Sequence, residues 1–248
     1  DAHETFAKII DYAWDSVPRG LLKRDDPTTW LCGPNEEWTE EDAATVGPLT
    51  RDGWKFRSRG VIGSESLFVD GIANHPHMRE LIGKFIGDPV RHPRRVRGVY
   101  MQLPKGPDVE ENLGPHADGT TAHLSAMVLI DNIAPHCGGF TVWPRSHRTF
   151  WRDFHSRYRA EYGPFYKDHA ATFASDHVYD QTYGNAGDVV LWHHRLGHMA
   201  SHNYSRQIRK AVLCDYVLKD VDILEEEPPG NDMWVDWSEG VRDVSGWE

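Results

Sequence analysis

Apolar positions recur at helical spacing twice in the first third of the chain. Phe6, Ile9, Ile10, Ala13 and Trp14 fall on one face of a helix over residues 5–17, with Pro18 as a stop. Met78, Leu81, Ile82, Phe85 and Ile86 repeat the pattern over 76–86, with Pro76 in the first turn and Gly87 at the end. Residues 35–46 are acidic and compatible with helix. The polar stretch 54–70 is compatible with strand.

Beyond Pro93 the period changes. Segments 96–103, 122–130, 139–143, 187–193 and 208–218 are short and rich in β-branched or aromatic residues, with Gly, Pro, Asn or Asp between most of them. Short strands after a helical preamble predict a mainly β fold with flanking helices. The expected core is a β-sandwich or jelly roll (a double-stranded β-helix, cupin-like) with helices on one side. An insert rich in Arg, His and aromatic residues interrupts the strands at 145–170. The tail is acidic, carries Pro228, Pro229, Trp234, Trp237 and Trp247, and reads as irregular. No linker argues for two domains. One domain is expected, with a lead-in at 1–93, a core at about 96–218 and a tail at 219–248.

Composition narrows the function. Of 248 residues, 39% are hydrophobic and 26% charged, which excludes disordered and fibrous classes. No apolar run approaches the ~18–20 residues of a membrane span. Basic residues number 27 against 38 acidic, a net charge of −11, so a global face for nucleic acid is not expected. Cys32, Cys137 and Cys214 are too few for a disulfide framework, and free thiols suit a reducing compartment. The first residues lack the pattern of a secretion signal, so a cytoplasmic location is expected. The 15 histidines are many for this length and direct attention to metal chemistry.

The strongest local motif is Pro115-His116-Ala117-Asp118-Gly119. On an extended segment the i and i+2 side chains point to one side, so His116 and Asp118 converge. A third ligand is needed, and His193, His194, His198 and His202 are candidates. Two histidines and a carboxylate with open positions form the facial set of non-haem Fe(II) oxygenases, which leaves one face of the metal for a bidentate cosubstrate and O₂. Alone, His-x-Asp is more often a surface pair than a ligand pair. Arg209 opens a β-like run eleven residues past His198 and offers a fork for a carboxylate; Arg206 and Lys210 are neighbours able to do the same.

Taken in order, PHADG, GGFTVWPRSHR (138–148), GDVVLWHHRLGH (187–198) and SHNYSRQIRKAV (201–212) resemble the phytanoyl-CoA dioxygenase-like family of Fe(II)/2-oxoglutarate-dependent oxygenases. The resemblance spans about residues 96–216. It implies Fe(II) held by His116, Asp118 and His198, with 2-oxoglutarate and O₂ as cosubstrates. Arg209 then meets the far carboxylate of 2-oxoglutarate, and His193 is structural or supports the ligands. Arg145 stands where the family has Gly, which leaves the turn geometry open. Ala200 stands where relatives use serine toward the cosubstrate, so either Ser201 or Ser205 substitutes or nothing does. Asp118 is the carboxylate that related halogenases lack, so hydroxylation is favoured over halogenation.

Several residues stay open on sequence alone. Gln102 is balanced between cavity contact and solvent face, Tyr100 is read as core with a cavity role second, and Trp192 and Phe140 are read as core. The arginines of 145–159 form either a solvated loop or a positive rim for an anionic substrate. Asn203-Tyr204-Ser205 fits a glycosylation sequon, in a place that makes modification improbable. The expected reaction is hydroxylation or a related C–H oxidation of a small molecule, with loops at 18–34, 51–66 and 145–185 setting its identity. The competing readings are a non-catalytic metal-binding jelly-roll sensor, a Zn²⁺ hydrolase without an evident general base, and a peptide or protein hydroxylase.

Overall fold

The computed structural model describes residues 2–15, 17, 22–31, 49–52, 55–58, 63–106, 110, 114–159 and 161–245. The expected acidic helix at 35–46 and Trp247 lie outside them, as do residues 18–21 and 32–34 of the 18–34 loop.

The strands are β1 (Leu49–Asp52), β2 (Lys55–Ser58), β3 (Gly98–Gln102), β4 (Leu124–Leu129), β5 (Phe140–Val142), β6 (Asp180–Thr182), β7 (Val189–His193), β8 (His198–Ala200) and β9 (Arg209–Tyr216). They form a six-stranded sheet in the order β1-β2-β3-β9-β4-β7 and a three-stranded sheet in the order β6-β5-β8, paired antiparallel throughout. This is the jelly-roll frame with flanking helices.

Helix α1 (Ala2–Asp15) and helix α2 (Pro76–Ile86) pack on the outer face of the larger sheet. Ile9 and Ala13 from α1 and Ile82 and Ile86 from α2 are buried with Val99, Met101, Ala126, Val212 and Cys214. Each large aliphatic side chain buried there contributes about 1.5–3 kcal/mol. The inner face carries Met127, Leu129, Ala211 and Leu213, packed with Phe140 and Trp192. Covering on both faces explains why β4 is buried at all six positions rather than alternating. Helix α2 ends as its sequence signals require: Gly87 sits at φ 78° and its N–H reaches the Gly83 carbonyl.

Three expectations change. Among the described residues of 54–70 a strand forms only at 55–58; Ser66–Phe68 and Val69–Ala73 are helical turns whose Phe68, Ile72 and Ala73 plug the outer core. The insert is partly helical, with α3 (Ser146–Phe150), a 3-10 turn at Trp151–Asp153 and the start of α4 (Tyr166–Asp176). The tail is less irregular than its composition suggests. It has a helical turn at Val221–Leu224 and the helix α5 (Glu239–Ser245). Trp234 and Trp237 pack on buried His193, with the Trp237 ring stacked at 5.2 Å. Among the described residues no helix is long and apolar enough to cross a membrane.

Candidate metal centre and cosubstrate cavity

His116 and His198 are backbone partners in an isolated antiparallel bridge. The His116 N–H donates to the His198 carbonyl at 3.1 Å, and the reciprocal bond is 3.0 Å. Their rings face each other with centroids 4.5 Å apart. Asp118, two residues on, turns its carboxylate to the same point. Its Oδ2 is 3.2 Å from His198 Nε2, and its Oδ1 is 3.9 Å from His116 Nε2. One ligand atom from each of the three lies within 4.8 Å of the others. His193, His194 and His202 do not join them; His193 and His194 are buried among the tail and insert aromatics.

The donor set suits a metal. His198 Nδ1 is 2.8 Å from the Leu196 carbonyl, so Nδ1 donates there and Nε2 is the ring atom presented to Asp118. Phe140 stacks on the His198 ring at 4.8 Å and Trp192 packs beside it, so these two core residues also set the ligand's plane.

Arg97 organises the carboxylate. Its Nη1 is 2.8 Å from Asp118 Oδ2, its Nε donates to Asp215 Oδ2 at 2.6 Å, and its Nη2 reaches Asp215 Oδ1 and the Ser125 hydroxyl. Burial by itself pushes the Asp118 carboxyl up, but facing His198 and Arg97 outweigh it and hold the group well below the usual carboxylate range. Asp118 is therefore anionic and ready to ligate at neutral pH.

Arg97 escaped the sequence reading because Gly98 adopts φ 129° at the start of β3. Arg97 donates its N–H to the Leu213 carbonyl while Gly98 is in register with the same residue. This local kink breaks the alternation and puts Arg97 on the face that carries Tyr100 and Gln102.

A second missed feature lies in the insert. Ala117, between the two candidate ligands of the motif, donates its N–H to the Tyr166 hydroxyl at 2.6 Å, and the Tyr162 hydroxyl donates to its carbonyl at 3.2 Å. No local pattern in the sequence signals these long-range bonds. Arg195, buried on the turn before His198, gathers this insert. It donates to the carbonyls of Ser156, Arg157 and Arg159 and lies 3.4 Å over the Phe154 ring.

A cavity of about 150 Å³ runs inward from the three ligands, with Tyr100, Gln102, Ala200 and Arg209 also on its wall. Arg209 is buried, opposite Gln102 in the β3–β9 register. Its Nε donates to the Gly138 carbonyl at 2.6 Å and its Nη1 to the Tyr100 carbonyl at 3.3 Å, which fixes the plane of the fork. Gln102 is buried, and its Nε2 donor has no partner among the described residues. A buried unmet donor costs about 1–3 kcal/mol, which a carboxylate-bearing ligand in this cavity relieves. Lys210 faces away to Asp131 at 2.9 Å, and Arg206 is exposed.

The remaining expectations resolve as follows. Tyr100 is half-buried and forms cavity wall as well as core. Neither Ser201 nor Ser205 replaces the missing serine. Ser201 pairs with the Thr141 hydroxyl, and Ser205 bonds Asn203 and Gln207, while Ala200 lines the cavity. Arg145 sits at φ 69°, so the turn keeps a glycine-like backbone despite its side chain. Two of the insert's five arginines are committed elsewhere, while Arg145, Arg148 and Arg152 are exposed. Arg157 pairs with Asp236 at 2.8 Å and with Glu227, and Arg159 with Glu226 at 2.9 Å, which ties the insert to the acidic tail. Asn203 is fully buried with its amide donating to the Gln102 and Gln207 carbonyls, which leaves it no access to a glycosyl donor.

Fold and site together define a protein of the iron- and 2-oxoglutarate-dependent oxygenase type. The family model described as Phytanoyl-CoA dioxygenase (PhyH) matches residues 43–211, and the chain belongs to that family. Among solved structures, it is similar in fold to AviO1 from Streptomyces viridochromogenes Tue57, at 16% identity and a TM-score of 0.53, over 88% of this chain and 85% of that one. EctD from S. alaskensis with bound Fe is 18% identical, with a TM-score of 0.53 over 92% of this chain and 73% of that one. The epimerase SnoN in complex with Fe3+, alpha ketoglutarate and nogalamycin RO is 17% identical, with a TM-score of 0.53 over 87% and 75%. No curated protein sequence matches the chain.

Proposed function

We propose that this chain is an Fe(II)/2-oxoglutarate-dependent dioxygenase that hydroxylates a small molecule. His116, Asp118 and His198 hold the metal, and Arg209 with Gln102 receives the far carboxylate of 2-oxoglutarate. The observation that carries the reading is one cavity with the two-histidine, one-carboxylate set at its mouth and the Arg209 fork with the unmet Gln102 donor on its wall. A non-catalytic metal-binding module has no use for that second half.

Iron and 2-oxoglutarate, when bound, supply O₂ activation coupled to decarboxylation, with one oxygen atom leaving in succinate and the other in the product. The chain's own residues orient and exclude. The Leu196 carbonyl keeps His198 in its ligating tautomer. Arg97 and the Ala117 peptide hold Asp118 in place. Met127, Phe140 and Leu213 give the inner cavity an apolar wall that limits water around the oxoacid.

Succinate release from 2-oxoglutarate with Fe(II), screened over metabolite pools, tests the function. Anaerobic addition of Fe(II) and 2-oxoglutarate adds a visible metal-to-oxoacid absorption band as an activity-independent readout. We expect both with the native chain and neither with Asp118→Ala. Absence of the band and of succinate in the native chain rejects the assignment. A relative of similar fold is an epimerase, so product analysis by mass decides hydroxylation: a gain of one oxygen supports it, and an unchanged mass replaces it with isomerisation.

A further inference from the structure

The function proposed above leaves unused a wider cavity beside the ligand set, of about 1020 Å³. That is room for a metabolite-sized ligand. It shares Arg97, Tyr100 and Asp118 with the inner cavity, so the two spaces meet at the candidate metal ligands. One wall is the stretch that leads into β3. It brings Arg91, Arg94, Arg95 and Arg97 to the cavity, against the carboxylates of Asp118, Asp215 and Asp222.

The charges on this wall are not balanced one for one. Arg91 grips both oxygens of Asp222, at 3.0 and 2.7 Å. Arg97 spans Asp118 and Asp215. All three carboxylates are thereby matched. Arg94 and Arg95 are exposed on the cavity wall and make no ion pair with any described residue. Guanidinium groups stay charged at every physiological pH. The chain as a whole carries −11, and Asp220 and Glu225 lie near enough to act on Arg91, so Arg94 and Arg95 are the guanidinium groups of this wall left open to an anion. The insert's Arg157 and Arg159, by contrast, are spent on the tail.

We propose that this outer cavity is the substrate site and that the substrate carries a carboxylate or phosphate, which Arg94 and Arg95 bind. Its uncharged part extends past Tyr100 toward His116, Asp118 and His198. The planar fork of arginine suits either oxyanion, bidentately. The inference takes the identity of the reaction from the oxygenase reading, whereas the anion site stands on the cavity and its unmatched charges.

Calorimetric titration of the full chain with pyrophosphate, benzoate and uncharged benzamide tests it, without 2-oxoglutarate, and with Arg209→Ala alongside to separate any anion binding in the inner cavity. We expect at least one anion to bind, benzamide not to bind, and Arg94→Gln/Arg95→Gln to weaken the anion at least tenfold. The Arg94→Lys/Arg95→Lys chain should bind better than the Gln pair. Arg152→Gln, which removes an exposed arginine outside the cavity, should bind like the native chain. Tighter pyrophosphate assigns a phosphate ester, and tighter benzoate a carboxylate. No binding of either anion by the native chain, or equal binding by the Gln pair, overturns the proposal. Succinate release by the native chain is read separately, so a failed oxygenase reading leaves the titration result intact.

Discussion

The hydroxyl of Tyr166, on α4, accepts the backbone N–H of Ala117 at 2.6 Å and so clamps the peptide between His116 and Asp118. A helix that begins in the insert thus braces the peptide between two candidate ligands far from it in sequence. Tyr166→Phe removes the acceptor and leaves a buried N–H unmet. We expect Fe(II) affinity to fall about 10–100-fold, the range for lost outer-sphere support, with the fold intact. Metal titration alongside circular dichroism measures this. Unchanged affinity removes Tyr166 from the ligand scaffold.

Arg97 performs the equivalent task from the other side, through its bond to the Asp118 carboxylate. Arg97→Lys keeps the charge and loses the fork that spans Asp118 and Asp215. Metal affinity should drop by about tenfold or more. The thermal midpoint should fall as well, because breaking a partly buried ion pair costs up to about 3–5 kcal/mol. A variant with native metal affinity contradicts the role.

Arg209 is expected to act on the cosubstrate alone. Arg209→Ala should raise the 2-oxoglutarate KM at least about tenfold, since losing one partner of a buried charged contact costs about 2–5 kcal/mol. Fe(II) affinity should stay native. An unchanged KM moves the carboxylate contact to another residue.

Acid should destabilise the fold earlier than carboxylates alone dictate. Burial pushes His123 down to about 3 and His147 down to about 4, and holds His193 and His194 well below the ordinary histidine value. Asp236 opposes the shift at His123, and Arg157 and Arg195 reinforce shifts in the cluster. The unfolded chain takes up these protons near pH 6.5, whereas the folded chain resists. The stabilisation is fully present above about 6.5 and is lost as pH falls from there toward 4, at up to about 1.4 kcal/mol per pH unit for each histidine. Denaturant melts between pH 7 and 4.5 should show the slope, and His123→Gln should flatten it. A native chain equally stable at both ends contradicts the neutral cluster.

Arg145 occupies the left-handed region at φ 69°, ψ −7°. A β-branched residue suffers there and glycine does not, so Arg145→Val should cost about 1–2 kcal/mol and Arg145→Gly should be near neutral. Chemical denaturation compares the two. Equal stability of both variants denies the strain.

The two apolar stripes of α1 and α2 and the short β-branched runs were legible in the sequence because each is a local pattern tied to a local period. The ligand motif was legible for the same reason, since His116 and Asp118 are two residues apart on extended chain. What sequence missed depends on particular turns and distant partners. Gly98 reverses the expected face of Arg97 through one backbone angle. Tyr166 reaches Ala117 across 49 positions. The insert's arginines stayed open between a solvated loop and a rim because the partners of Arg157 and Arg159, namely Glu226, Glu227 and Asp236, lie some 70 to 80 residues away.

The sequence by itself determined which side chains carry chemistry: a His-x-Asp, a later histidine, and an arginine beyond it, in an order that suits metal and oxoacid. Tertiary structure alone decided how His198 comes to face the motif, which arginines keep an unmatched charge, and what braces the carboxylate. The physical reason is range. Residue type and short spacing fix what a group is able to do, while antiparallel pairing and packing bring positions such as 116 and 198 together, and only there is a charge matched, buried or left open.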